Sequence, residues 1–349
     1  MDIITWEVIR IIALAFACFF VAFIATPTVV KLLRKYKMGK NIRDEASAPV
    51  MSKIHAGKSG TPSMGGMVIW GSVLFVVGSL WLICALWNVE PWCSWNILSR
   101  SQTFVPFGAM IAAALIGLVD DYLNVRKIGP KGGGLRVRHR LMAYTSIAII
   151  CAWWFYDKLE WSSIHIPFNG NLELSWLYIP FFIFVIVATQ HSVNLTDGLD
   201  GLAGGTLMAA FGAFGAIAFM QGRTDITALC AAIIGALLAF LWHNINPAEF
   251  FMGDTGAMAL GTALGIIAML TNQPLLLPII GIIFVMESGS VIMQLTSKKL
   301  RSGKKIFQST PIHHHFEAKG WGEPRIVMRF WIVAFITAVL GVLIHMIDK

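Results

Sequence analysis

Ten stretches of the chain are apolar almost without interruption, at approximately residues 11–33, 64–87, 104–123, 141–157, 175–190, 202–221, 226–243, 257–271, 275–296 and 327–347. A helix crosses a bilayer with about 20 such residues. The predicted fold is therefore all-α: a polytopic membrane protein of about ten transmembrane helices, with both termini on one side because ten is even. Composition agrees, since 56% of the residues are hydrophobic and 13% charged, against roughly 45–50% and about 25% in soluble domains. The first stretch is predicted to be a retained span. MDIITWE lacks the basic leader of a signal peptide, and the apolar run continues into Lys31, Arg34 and Lys35.

The net charge of +8 invites a nucleic-acid reading until the cations are located. Residues 31–63 carry eight Lys and Arg, residues 124–140 six and residues 297–329 eight, 22 of the 27 in the chain. Cations mark the cytoplasmic loops of short-looped membrane proteins, so these three loops are expected inside and both termini on the periplasmic side. The loops lack an independent fold with interleaved aromatics, which argues against nucleic acid. Trp81, Trp87, Trp92, Trp95, Trp153, Trp154, Trp161 and Trp176 read as an interfacial belt at the outer ends. Cys18, Cys84, Cys93, Cys151 and Cys230 are scattered without a CxxC, and are expected to be small hydrophobes rather than a disulfide framework or metal site. No soluble domain, low-complexity segment or internal repeat interrupts the pattern.

The informative residues are the acids beside the spans, because charge at membrane depth is expensive. Asp120 and Asp121 end the third stretch in GLVDDYLNVRK, Asp197 and Asp200 lie in SVNLTDGLDGLAGG, and Asp254 lies in FFMGDTGAM. All five fall on the cytoplasmic side by loop alternation. Residues 191–201 and 244–256 contain no Lys or Arg, so the acids must repel one another unless a divalent cation or cations from the basic loops compensate. Hard oxygen ligands of this kind suit Mg²⁺. Gly198, Gly201, Gly204, Gly205, Gly253 and Gly256 allow tight turns and close backbone approach to a ligand.

Two further elements lie in the basic loops. PIHHHFEAKGW, residues 311–321, has three consecutive histidines, which cannot all face one point from a regular helix; with no HExxH, a single His contacting phosphate or moving a proton is favoured over zinc. HAGKSGTPSMGG, residues 55–66, offers Lys58 to a phosphate but lacks the Walker spacing, so ATP hydrolysis is not indicated. Lys127, Lys131, Arg136 and Arg138 are read either as phosphate contacts or as anchors at anionic headgroups.

GTPSMGG, the DD pair of LVDDYLNVRK, NLTDGLDGLAGG, FFMGDTGAMALG and PIHHHFE, in this order and separated by spans, closely resemble the phospho-N-acetylmuramoyl-pentapeptide-transferase family over essentially the whole chain. That family belongs to the polyprenyl-phosphate N-acetylhexosamine-1-phosphate transferases. The resemblance implies a single integral membrane transferase domain spanning 1–349, in the bacterial cytoplasmic (inner) membrane with its active site facing the cytoplasm. The implied reaction moves phospho-N-acetylmuramoyl-pentapeptide from UDP to undecaprenyl phosphate, giving lipid I and UMP for peptidoglycan, with Mg²⁺ as cofactor; a homodimer is an implied assembly.

The resemblance also implies residue roles. Asp120 and Asp121 become essential acids, one a base or positioner for the lipid phosphate, Asp254 a catalytic Mg²⁺ ligand, and His313 a catalytic group near the phosphates, with His314 and His315 as substrate contacts. Asn194, Asp197, Asp200, Asn244 and Phe251 match the nucleoside-side pocket, where Phe251 would stack on uracil. Lys58 and Ser63 match the edge of the cleft. Asn124 stands where many members carry Lys, with Lys127 or Lys131 as substitutes and Lys131 a substrate contact.

The geography is consistent with this chemistry, because a polyprenyl phosphate holds its head at the interface while a UDP-sugar is cytosolic. Phosphoryl transfer needs positioning and charge neutralisation more than covalent help; direct attack and a phospho-aspartyl intermediate both remain open. Two rivals are a transferase of the same superfamily using UDP-N-acetylglucosamine, disfavoured by the HHH run, and a secondary transporter, disfavoured because the acids gather at helix ends rather than at the midplane.

Overall fold

The computed structural model describes residues 2–39, 58, 60–88, 90, 92–98, 101–130 and 133–348. In chain order the helices are α1 (Ile3–Lys35), α2 (Gly66–Trp87), the short α3 (Trp92–Trp95), α4 (Ser101–Val125) and α5 (Val137–Trp153), the last continued by a π turn over Trp154–Lys158. A hairpin of β1 (Ser163–Ile166) and β2 (Gly170–Glu173) precedes α6 (Tyr178–Thr196), α7 (Leu202–Met220), α8 (Thr224–Asn244) and α9 (Gly253–Leu270). The chain ends with α10 (Leu277–Ile280), α11 (Ile282–Leu300), α12 (Ile312–Ala318) and α13 (Glu323–Ile347).

Among the described residues, eight helices are long and apolar enough to cross a bilayer: α1, α2, α4, α6, α7, α8, α9 and α13. The other two apolar stretches fold as α5, 17 residues long, and as the α10–α11 pair, broken at Gly281. The protein is thus a polytopic all-α membrane protein. The hairpin, antiparallel with Ile164 opposite Leu172, is a small addition the sequence reading did not anticipate.

The cysteine expectation is corrected at one pair: Cys84 at the end of α2 and Cys93 in α3 form a disulfide, while Cys18, Cys151 and Cys230 are free and buried as expected. The turn after α2 brings back a chain segment only nine residues on, a proximity that hydropathy does not record.

Helix α9 is the axis of the bundle. Its most apolar window is 89% buried, and α4, α6 and α2 pack around it. Helices in lipid gain little from apolar burial alone and associate through close packing and interhelical hydrogen bonds. Both occur here. A Cβ at Gly117 of α4 would lie 2.6 Å from the Asp254 carbonyl oxygen and the Thr255 Cα, and one at Gly261 would lie 2.7 Å from the Gln190 Cα. Trp70 Nε1 donates to Thr255 Oγ1 at 3.1 Å, Thr255 Oγ1 donates to the Ala114 carbonyl at 2.8 Å, and Gln190 Nε2 donates to Thr262 Oγ1 at 2.7 Å. Thr255 therefore ties α2 and α4 to the first turn of α9.

Gly117→Ala should push α4 off the start of α9, destabilising the protein by about 1–3 kcal/mol. Gly108→Ala on the same helix, where nothing lies within 4 Å of the added Cβ, should leave the thermal midpoint in detergent unchanged. Equal midpoints for the two variants would remove this contact from the packing account.

Candidate active site

The site grows out of the first turn of α9, whose leading N–H groups have no partner within their own helix. Two distant carboxylates take them. Asp197 Oδ2 accepts from the Gly253 amide at 3.1 Å, and Asp121 accepts from the Asp254 amide at 3.2 Å through Oδ1 and from the Thr255 amide at 3.0 Å through Oδ2. Negative charge at a helix N-terminus is favourable. Gly253 has φ +74, and a Cβ there would lie 3.0 Å from the Met64 nitrogen and 3.1 Å from Ser63 Oγ. The chain around Ser63 is held against this turn by main-chain bonds from Phe251 to Pro62 at 2.8 Å and from Gly65 to Phe251 at 2.7 Å.

With its helix end satisfied this way, Asp254 is free to point outward. It lies inside the first turn of α9 rather than in a loop. Asn194 Nδ2 donates to its Oδ1 at 2.7 Å and Arg140 Nη1 to its Oδ2 at 3.0 Å. The same Arg140 Nη1 reaches Asp120 Oδ2 at 3.3 Å, while the Leu135 amide donates to Asp120 Oδ1 at 2.6 Å. Two carboxylates thus converge on one cation, Arg140 in the first turn of α5, the compensation expected from charge counting. Asn194 reaches Asp254 because α6 runs on to Thr196, past the predicted end.

A second cluster lies on the other side of the Asp197–Asp200 turn. Lys58 Nζ sits 2.6 Å from Asp200 Oδ1 and 2.5 Å from Glu323 Oε1. Asn246 Nδ2 bridges Asp200 Oδ2 at 2.9 Å and Glu323 Oε2 at 3.1 Å. Lys58 Nζ also stands 5.8 Å from the centroid of the half-buried Phe251 ring. Asn244 is buried with both amide atoms engaged, accepting from the Gly201 amide at 2.9 Å and donating to the Phe250 carbonyl at 2.8 Å. Its contribution here is to brace the loops that carry Asp200 and Phe251. Ser63 is likewise buried.

The histidines form a third group. His313 is fully buried; its Nδ1 lies 2.9 Å from Glu287 Oε2 and its Nε2 lies 3.1 Å from His314 Nε2. His314 Nδ1 is 2.7 Å from Glu317 Oε2. The His313 ring packs on Gly198, where a Cβ would come within 2.6 Å of its Cε1. His315 turns away: its Nδ1 accepts the Gln308 amide at 3.2 Å. Burial, with Lys319 nearby, holds this imidazole below its ordinary range, in keeping with an acceptor at Nδ1.

Of the expected basic contacts, Lys127, Arg136 and Arg138 are exposed, and Lys131 lies outside the described residues. Asn124 is exposed at the end of α4, and the described cation that touches Asp120 is Arg140. Sequence reasoning counted Arg140 only as topology and did not single out Glu323, Asn246, Glu287 or Glu317. Glu287, an acid inside the apolar run IIFVMESGS, carried the same signal as the aspartates.

A helix end within a polytopic bundle, ringed by acids and bridging cations, defines a class, and residues 103–272, which include α9 and its acids, match the family model described as glycosyl transferase family 4. Over 329 residues the chain is 42% identical to the phospho-N-acetylmuramoyl-pentapeptide-transferase of Bacillus anthracis, covering 93% of this chain and 95% of that protein. The like-named proteins of Listeria welshimeri, 39% identical over 327 residues, and Geobacillus thermodenitrificans, 38% identical over 340, are covered to 94% and 98%. The chain belongs to the phospho-N-acetylmuramoyl-pentapeptide-transferase family.

Asp121→Ala removes a cap that serves two amides and should cost about 0.5–2 kcal/mol of stability. Asp121→Asn, which keeps one carbonyl oxygen as acceptor, should lose less, as read by thermal unfolding in detergent. Equal midpoints for Asp121→Ala and the unmodified protein would remove the carboxylate from its capping role.

Proposed function

We propose that this protein transfers phospho-N-acetylmuramoyl-pentapeptide from its UDP carrier to undecaprenyl phosphate, producing lipid I and UMP for peptidoglycan synthesis. The reaction is assigned to the cytoplasmic face of the inner membrane. The observation that carries this reading is the convergence of Asp120 and Asp254 on one guanidinium beside the capped end of α9, in a chain of this family. Orientation rests on the basic segments 31–63, 124–140 and 297–329, the first of which supplies Lys58 and the second Arg140, at the start of α5, to the acids.

The residues suit Mg²⁺. This ion takes one or two protein carboxylates and leaves its other positions to water and phosphate, and Asp120 Oδ2 and Asp254 Oδ2 already face a common cation. An ion held by so few carboxylates would be completed by water and substrate phosphate. Asp254 would hold it, with Asp120 adjacent, and the bound ion would neutralise charge developing on the departing UMP.

The remaining residues position and neutralise. Asn194 fixes the Asp254 carboxyl, Arg140 screens Asp254 from Asp120, and Lys58 stands where a phosphate at the Phe251 edge would meet it. Phe251, with one ring face near that cation, is assigned to the uracil base. Asp120 is assigned to orient the acceptor phosphate through the Arg140 guanidinium it shares with Asp254, whereas both oxygens of Asp121 are engaged at the helix end.

Purified protein in detergent, supplied with donor, undecaprenyl phosphate and Mg²⁺, should release UMP and form lipid I; turnover with UDP-N-acetylglucosamine alone would overturn the substrate assignment. Asp254→Asn should abolish Mg²⁺-dependent turnover with the thermal midpoint retained, whereas activity at ordinary Mg²⁺ would remove Asp254 from the metal site. Phe251→Ala should weaken UMP binding by about 1–3 kcal/mol if the ring stacks on the base. Calorimetric titration with UMP measures this, and unchanged affinity assigns the ring to packing.

A further inference from the structure

Tyr144 is fully buried on α5, yet among the described residues its hydroxyl has no hydrogen-bond partner. Buried tyrosine hydroxyls are ordinarily paired, because a polar group taken from water without a partner is costly. A phenylalanine would fill the same space without that cost. The hydroxyl lies outside every role assigned above.

Helix periodicity fixes where it stands. Residues four apart share one face of a helix, one turn from each other. Tyr144 comes four residues after Arg140 on α5. Its ring packs with Ala113 of α4 and Met258 of α9, with Ile116 of α4 alongside. Met258 comes four residues after Asp254 on α9, and Ile116 four before Asp120 on α4. The phenol is thus the floor, one turn down, of the cluster in which Asp120 and Asp254 meet the Arg140 guanidinium. Side chains lean toward the N-terminus of their own helix, which on α5 is the end that carries Arg140. The charges of Asp254, Asp120, Asp121 and Arg140 all act on the phenol, and none of them is hydrogen-bonded to it.

Tyr178 supplies the contrast. At the opposite end of α6 from Asn194, it too is fully buried with an unpartnered hydroxyl. Only burial acts on it, with no charged group nearby. What distinguishes Tyr144 is its place in the acid cluster.

The neighbours define what the hydroxyl can receive. Asp120 and Asp254 are acceptors and Arg140 is a donor, so the phenol adds a second donor to the cluster without adding negative charge. A phosphate oxygen is the acceptor that Arg140 would draw to this point and that the carboxylates alone would repel. The Lys58 and Phe251 cluster lies on the other side of the Asp197–Asp200 turn. Tyr144 stands one turn deeper than Arg140 from the helix ends, on the side from which a lipid-borne phosphate comes.

We propose that Tyr144 is a substrate-contacting residue whose hydroxyl donates a hydrogen bond to a phosphate oxygen of the lipid acceptor held beside Arg140. The phenol keeps its proton, and no covalent bond forms or breaks there. The inference rests on the phosphoryl-transfer reading for the identity of the ligand, and on burial, packing and the unpartnered oxygen for the hydroxyl itself.

The test uses the full-length protein in detergent. Tyr144→Phe removes one oxygen and leaves the packing. It should lower kcat/KM for undecaprenyl phosphate about 10- to 100-fold, leave the donor KM within about twofold and not lower the thermal midpoint. Tyr178→Phe, the same change away from the acids, should leave turnover unaltered. In spectra of protein labelled with ¹³C at tyrosine Cζ, the signal that Tyr144→Phe lacks should shift on addition of undecaprenyl phosphate and stay in place on addition of UMP.

Unchanged kcat/KM for the acceptor in Tyr144→Phe overturns the proposal, as does a Tyr144 signal that ignores undecaprenyl phosphate or answers to UMP instead. A lowered midpoint, or a variant that fails to fold, overturns it as well, since it would give the hydroxyl a partner within the protein. An unmodified protein that releases no UMP would sink the functional reading, while the response of the Tyr144 signal to undecaprenyl phosphate still judges the hydroxyl.

Discussion

The first turn of α9 sets the terms for everything near it. A helix that starts within a tightly packed bundle exposes N–H groups that nearby water cannot be relied on to satisfy, and leaving them bare would cost more than most single contacts return. Asp121 and Asp197, from two other helix ends, supply the missing acceptors. Because both are carboxylates from distant parts of the chain, the start of α9 is capped only when α4 and the end of α6 are docked against it. Packing, capping and the placement of Asp254 are therefore coupled. The close approach at Gly117 and the bonds through Thr255 keep α4 and α2 at the distance this capping needs.

This division of labour distinguishes acids that look alike. Asp120 and Asp121 are adjacent, yet Asp121 spends both oxygens on α9 while Asp120 turns one to the Leu135 amide and one to Arg140. Neighbours on a helix point about 100° apart, so a DD pair at a helix end divides between capping another helix and meeting a cation. Asp197 and Asp200 divide likewise: the first caps α9 and the second faces Lys58.

The spans and the acids were legible in the sequence because both follow from one-dimensional signals: apolar runs for crossing, and charges where charge is costly. Arg140 and Lys58 were legible only as cations at the right end. The start of α9 was misplaced to residue 257 because its cap is not local, and MGDTGAM carries too many polar and small residues to read as helix without knowledge of Asp121. The Cys84–Cys93 bond and the extension of α6 to Asn194 were missed for a related reason, since each depends on a neighbour supplied by folding. Glu287 was different. Its run announced an intramembrane acid, and the length of that run as a span masked it.

The three clusters share a charge pattern. Asp120 and Asp254 share Arg140, Asp200 and Glu323 share Lys58, and Glu287 and Glu317 bracket one His pair. In each, two carboxylates stand against one basic group, so the cleft is acidic even though the loops around it are basic. A diphosphate drawn toward the basic loops would be repelled by the clusters unless it arrived with added positive charge. In the proposed reaction a divalent ion brought in with the donor meets that need, with the bridging cations freed to contact phosphate as it binds. In that reaction the long-range field and the short-range site would act with opposite signs: the basic segments would gather anions, and the acids would admit those that carry a metal.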